Sequence, residues 1–443
     1  MDKDKLNNIY IAIFVIAVII LGVYLIKTQH ISHKGMTVIR WSVDNNPIRS
    51  LGIASYEKKR QDIHIVLDPN ADIQIVLTQL AGDVPPDIIT AYTIEHFRRY
   101  VRLGLLEDLT PYIKKYNMPI DKIHKELKDF VYCDNKIYGI PENGGPLCLI
   151  YNKDVFDDAG MPYPTNDMTW DELRETAKKL TKYKYINGRK IPDIKGLMTV
   201  EDPEFWLRMY GGKLFSEDGR KCLIDSPEAI KGLKMFETMR MKDHSIPTAS
   251  EAANLSNQGG WSIESLPVVQ GKAAMLIHGR FTVVNLRKFY SKGARIGLVR
   301  CPKCPSENNL LYSKSYCIPK TSKHKEEAAK FLAYILSEEN QKNITNYGDG
   351  WCAVNSPELR ITEEYNPNFP NEDTNKELLK DWNICAPCEV SPWINTIDYM
   401  TVWQREVDKV WVGEQSMEQA CRNAARDINK IIERNIKNPN FLN

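Results

Sequence analysis

The chain has 443 residues, more than one hydrophobic core ordinarily fills, so two or three bodies are expected. Charged residues make up 26% of the composition, as in an ordinary globular protein. The formal net charge of only +2 gives no electrostatic case for a nucleic-acid partner.

The first element is the apolar run "IYIAIFVIAVIILGVYLI", residues 9–26, with Lys3 and Lys5 ahead of it and Lys27 behind. As a helix it would span roughly 27 Å, about one hydrocarbon core, so residues 1–35 are expected to hold one N-terminal transmembrane helix that anchors the chain. A cleaved secretory signal is the alternative. Its cleavage site wants small residues, and "VYLIKTQHISHKG" offers none. No cysteine lies near the end of the run for lipid attachment. Lysines on both flanks leave orientation open. The simplest topology is a single-pass protein of the cell membrane with its body on the periplasmic or extracellular side.

After the run, "MTVIRWSV" and "IHIVLDP" read as strands rich in β-branched residues, and "PPDIITA" as a third behind a Pro-Pro stop. Helical patterns lie between them, and this alternation is what a mostly parallel sheet produces. Thr93 opens a helix expected to end at Gly104. Further helix starts are marked by Thr169 with Glu172, by Ser226 with Pro227, and by Ser416 with Gln419. The polar segment 356–380 is expected to be a long surface loop or crossing segment.

Between these helices lies "YGIPENGGPLCLIYNKDVFDDAG", residues 138–160. Its Gly144-Gly145-Pro146 leads into the strand-like "LCLIYN" and not into a helix N-terminus, so it fails as a phosphate loop and reads as a bend. Elsewhere the sequence holds no G-x-S-x-G, H-E-x-x-H, G-x-x-x-x-G-K-[ST] or strand-to-helix G-x-G-x-x-G. Glycoside hydrolysis would need two carboxylates across a cleft, and Glu142 has no partner evident in the sequence. The chain is therefore expected not to be an enzyme.

Two C-x-x-C pairs occur, Cys301 with Cys304 and Cys385 with Cys388. They fit a four-thiolate structural metal site, zinc in the first instance, if the fold brings them together. In an exported body they fit disulfides equally, and independent thiols are the third reading. Either of the first two would be a staple and not a reacting centre, and no other cofactor is expected.

Aromatic residues at loop positions are the remaining signal: Trp41 just after the first strand, Trp206 and Tyr210 beside "GG", Trp261 after "QGG", and Trp351 after "YGDG". Any single one is as readily an ordinary core tryptophan. Together, in Gly-flanked or loop settings, they point to a ligand cleft with flat faces suited to sugar rings or cations.

The 138–160 stretch with the helices that follow it is similar to the hinge and second lobe of the extracellular solute-binding proteins of ABC importers, in the carbohydrate-binding group typified by maltose-binding protein. "GDVPPDIITA", "RLGLLEDLTPYI", "DPEFWLRMYGGKLFSEDG", "VVQGKAAMLIHGRF" and "TSKHKEEAAKFLAYILSEENQ" follow the same pattern in order. The resemblance runs from about residue 36 to about residue 434.

It implies an α/β, two-lobed periplasmic-binding-protein fold with hinge strands between the lobes. Lobe one would combine 36–142 with 303–355, and lobe two 146–300 with 356–443. The Pro-Glu-Asn-Gly-Gly stretch becomes the first hinge crossing and "RIGLVRCPKCP" the second. The implied ligand-binding residues are Trp41, Asn45, Asn46, Glu142, Asn143, Trp206, Trp261, Arg280, Phe281 and Trp351. Phe281 stands where the family commonly has a tryptophan. The implied function is binding a carbohydrate, an oligosaccharide or sugar derivative, between the lobes and delivering it to ABC permease subunits. A two-lobed ectodomain presenting a solute to a membrane sensor is the alternative.

Overall fold

A computed structural model describes residues 35–438, apart from 83–84, 256–264, 291–292, 304–308 and 367–374. The apolar run 9–26 lies outside the described residues, and so does Trp261. Among the described residues no helix is long and apolar enough to cross a membrane.

Thirteen strands are described: β1 Thr37–Ser42, β2 Ile63–Asp68, β3 Ile88–Ala91, β4 Tyr132–Cys133, β5 Lys136–Ile137, β6 Ile140–Asn152, β7 Lys182–Ile186, β8 Arg189–Met198, β9 Ala273–Gly279, β10 Ile296–Arg300, β11 Asn309–Cys317, β12 Trp351–Cys352 and β13 Cys385–Ala386. All but the β4–β5 hairpin join one mixed sheet, in the order β2-β1-β3-β11-β6-β9-β8-β7. The first strands are parallel, β1 to both β2 and β3, as strands separated by helices require.

β6 joins the two lobes. It is buried along its whole length, and its residues between Ile140 and Pro146 pair with β11. From Leu147 to Tyr151 it pairs with β9, and from Cys148 to Asn152 with β10. Its side chains alternate between cores as the two-residue period of a strand dictates. Leu147, Leu149 and Tyr151 join a core with Trp170, Phe205, Trp206 and Trp403. Cys148 and Ile150 face the other, with Val268, Leu276 and Leu298, and this second core continues to Trp41, Tyr316 and Phe331.

The caps expected at Thr169, Ser226 and Ser416 sit where the sequence places them, whereas Thr110 is the first residue of the helix Thr110–Lys115, whose N-cap is Leu109. Thr169 and Glu172 form a reciprocal capping box, and Ser226 and Ser416 accept the N–H groups of Ala229 and Gln419. Segment 356–380 departs from the expected loop. Pro357–Glu364 is a helix whose N-cap, Ser356, accepts the Leu359 N–H at 3.2 Å, and Asn375–Leu378 is another. The proline read as a loop residue is a helix-opening residue, because its missing N–H is one that no helix start can pair. Leu359 and Glu363, four apart, give the short helix its buried face. This helix packs on Glu338–Tyr347 and β12, so the expected lobe boundary at 356 falls inside a packing unit.

Candidate functional site

A cleft of about 370 Å³ opens where β6, β11 and β12 meet the turn after β9 and the helix after β1. One side is an ion-pair cluster. Arg49, in the first turn of the helix Pro47–Lys59, is 1% exposed and holds three carboxylates. Its Nη1 lies 2.7 Å from Glu142 Oε2 and 2.8 Å from Asp349 Oδ2, and its Nη2 lies 3.5 Å from Asp44 Oδ2. Lys314 Nζ adds a second cation, 3.5 Å from Glu142 and 3.9 Å from Asp44. Hydrogen bonds fill the remaining lone pairs: Tyr316 OH donates to Glu142 Oε2 at 2.5 Å, and Asn46 Nδ2 donates to Asp349 Oδ1 at 2.7 Å. Asn143 Nδ2 donates to Asp349 Oδ2 at 2.9 Å.

Buried charge is tolerated only with this degree of pairing. Burial would raise the Asp44 carboxyl, but Arg49 and Lys314 beside it hold it at about 2, so it is an ionised acceptor at any physiological pH. The Tyr92 hydroxyl donates to Asp44 Oδ2 at 3.1 Å, and burial together with that carboxylate pushes its ionisation upward, so it remains a neutral hydroxyl.

The opposite side is aromatic. Trp351 lies under the Arg280 guanidinium, 4.3 Å from carbon to ring centroid, and Arg280 Nη1 donates to the Gly350 carbonyl at 3.0 Å. Phe281, half-buried, and Tyr312 complete the wall. Gly145 makes the close approach possible: with φ at +150°, a Cβ there would lie 2.2 Å from Trp351 Cδ1. Gly145→Ala is expected to displace the indole and destabilise the fold by roughly 1–3 kcal/mol. Chemical denaturation with tryptophan emission reads both effects, and an unchanged midpoint with an unchanged spectrum would contradict the packing.

The cleft thus gathers Asn143, Arg280, Phe281 and Trp351 from the expected set. Glu142 and Asn46 sit one layer behind, holding Arg49 and Asp349. Asn45 is exposed and outside the lining. Trp41 is core: it is 1% exposed and packs edge-on against Tyr316 and Phe331, at 5.0 and 5.1 Å. Trp206 is also core, 0% exposed, stacked on Phe236 at 4.8 Å with its Nε1–H donated to the Val200 carbonyl at 3.1 Å. The helix Pro203–Arg208 is buried on every side, so the glycines near Trp206 mark a turn and not an opening to ligand. Sequence reasoning missed Asp44, Arg49, Tyr92, Tyr312, Lys314 and Asp349. The only signals were the polar "DNN" after β1 and Asp349 two residues before Trp351.

Cys385 and Cys388 are in no disulfide with each other, and burial pushes both thiols up to about 12. Among the described residues no group of three or more His, Cys, Asp or Glu could hold a metal ion, and Cys304 lies outside them. Cys301 is buried at the end of β10.

The chain's likeness to known proteins agrees with this architecture. Residues 44–342 match the family described as bacterial extracellular solute-binding protein. A putative binding protein of Brucella abortus is 24% identical over 306 residues, 68% of this chain and 69% of that protein. The galactooligosaccharide-binding protein of Bacillus subtilis is 26% identical over 325 residues, 70% and 71% of the two chains. Among solved structures, an ABC substrate-binding protein of Listeria monocytogenes in complex with cycloalternan superposes with a TM-score of 0.75 at 24% identity, covering 90% of this chain and 99% of that one.

Proposed function

Because the chain belongs to the bacterial extracellular solute-binding proteins, we propose that it is the substrate-binding component of an ABC transporter, taking a carbohydrate into the cleft between its lobes. The observation that carries this reading is the pairing of an aromatic wall with a charge-compensated polar wall. Arg49 and Lys314 are met by Asp44, Glu142 and Asp349, and Arg280 stands on the aromatic wall, so the cleft region carries as many carboxylates as cations. Sugar hydroxyls donate to and accept from such groups, and the apolar faces of pyranose rings lie on indole and phenyl planes. The Bacillus subtilis relative named for galactooligosaccharide supports a short glycan as cargo.

In this reading Asp44 accepts from ligand hydroxyls, Arg280 donates, Phe281 offers its face to a sugar ring, and Trp351 supports Arg280 from below. The site binds and does not react, since Asp44, Glu142 and Asp349 are all committed to Arg49 and none is poised as a general acid. Ligand bridging the lobes shifts the population toward a closed form that permease subunits recognise. The apolar run 9–26 tethers the body outside the membrane, and the lobes divide near the hinge as the sequence suggests, with 356–364 joining the first.

The test is thermal unfolding of the protein with mono- and oligosaccharides, and with sugar and glycerol phosphates as contrast. A ligand at a hundredfold its Kd stabilises the native state by about 2.7 kcal/mol. A raised midpoint with one class of neutral glycan is the expected result. A rise confined to the phosphates would sink the carbohydrate reading.

A further inference from the structure

Behind the aromatic wall lies a buried acid that the binding site does not use. Glu363, on the helix Pro357–Glu364, is 2% exposed, and its Oε1 accepts the Cys352 backbone N–H at 2.7 Å. Cys352 is the residue after Trp351, and these two form all of β12, in register with Gly144 and Asn143 of β6. A strand of two residues has little ladder of its own, so an acceptor on its outer side decides where it sits.

We propose that Glu363, which lines no part of the cleft, is the positioning residue that fixes the Trp351 ring and the Arg280 guanidinium in their ligand-facing places. The inference rests on the cleft being the ligand site, and it adds the regulation of that site.

The groups that face Glu363 come from three elements. β12 brings the Cys352 thiol, the turn after β9 brings Arg280, and its own helix brings Arg360. No charge of the Glu338–Tyr347 helix is among the main influences on Glu363. Thr345 Oγ1 of that helix lies 2.8 Å from Cys352 Sγ, and its Gln341 carbonyl accepts from that thiol at 3.3 Å. Arg280 reaches both ways, its field falling on Glu363 and its guanidinium lying over Trp351. The charge on Glu363 is therefore felt at the cleft through one hydrogen bond, to the Cys352 N–H, and through its field on Arg280.

Burial raises the Glu363 carboxyl from 4.5 to about 7, although Cys352, Arg280 and Arg360 all lower it. The folded protein then holds this proton more tightly than the unfolded chain does. Its contribution to stability is fully present below about pH 4.5 and is lost as pH rises through about 7. The ionised form makes the stronger bond to the Cys352 N–H and draws Arg280 into place, so the cost in stability accompanies a better-ordered cleft.

Two measurements test this. In the first, ligand affinity is followed from pH 6 to pH 8 with the glycan that raises the melting midpoint. Wild type is expected to tighten about fivefold across this range. Glu363→Gln, which keeps an acceptor for Cys352, is expected to be flat, and Glu363→Leu is expected to be weaker throughout. The second needs no ligand: the emission of Trp351, taken as the difference between wild type and Trp351→Phe, is expected to shift over the same range and not in the Glu363→Gln background. The same pH profile in wild type and Glu363→Gln, or Trp351 emission indifferent to both pH and Glu363, overturns the proposal. Failure of every sugar to bind leaves the emission result standing, so the two readings fail separately.

Discussion

Trp206→Ala is expected to destabilise the protein by roughly 3–5 kcal/mol while leaving the ligand affinity of the folded fraction unchanged. The indole stacks on Phe236 at 4.8 Å and meets Trp170 and Phe205 at 5.3 and 5.4 Å, with no exposed surface. Truncation opens a cavity in the second lobe's core and removes the shorter of two hydrogen bonds to the Val200 carbonyl, leaving that from Thr199 Oγ1 at 3.5 Å. Urea denaturation gives the stability change, and calorimetric titration at low temperature gives the affinity. A variant of wild-type stability that no longer binds would return Trp206 to the ligand site.

Arg49→Leu is expected to cost roughly 3–5 kcal/mol at neutral pH, because it takes away the cation that Asp349 holds and leaves Asp44 and Glu142 to share the more distant Lys314. The loss should itself depend on pH. With Arg49 gone, burial acts on the Asp44 carboxyl against one cation fewer, and that carboxyl moves upward. The cost of holding it ionised is relieved on acidification, so the variant's deficit is expected to be smaller at pH 5 than at pH 8. Denaturation at pH 5 and pH 8 checks this. An equal deficit at both would mean that packing, and not charge, is what Arg49 supplies.

The fold was legible in the sequence to the extent that it rests on local signals. The β-branched strands and the capping residues of the later helices lie where the residues place them, whereas the Gly-Gly stretch read as a bend runs inside the continuous strand β6, which passes from one set of neighbours to the other. The helix Pro357–Glu364 was obscured by a proline read as loop chemistry, although the Ser356-Pro357 start matches the Ser226-Pro227 start that was recognised.

The site was legible only in part. Arg280, Phe281, Trp351 and Asn143 carry local marks, a Gly-flanked aromatic or a hinge position. Arg49 and Asp349 are 300 residues apart in sequence and 2.8 Å apart in space, and no local pattern announces such a pair. Trp41, Trp206 and Trp351 show why an aromatic beside glycine does not settle its role. All three are almost wholly buried, and only the last has a face on the cleft.

The most direct test of the central claim is calorimetric titration of the wild-type protein and of Asp44→Ala with neutral oligosaccharides and with glycerol phosphate. Asp44 is the partly exposed carboxylate of the cluster and borders the cleft, so its loss removes a ligand contact at modest structural cost. Saturable one-site binding of a neutral glycan that Asp44→Ala weakens at least tenfold is the predicted result, about 1.4 kcal/mol or more. Heat from glycerol phosphate alone, or glycan binding indifferent to Asp44, would contradict it.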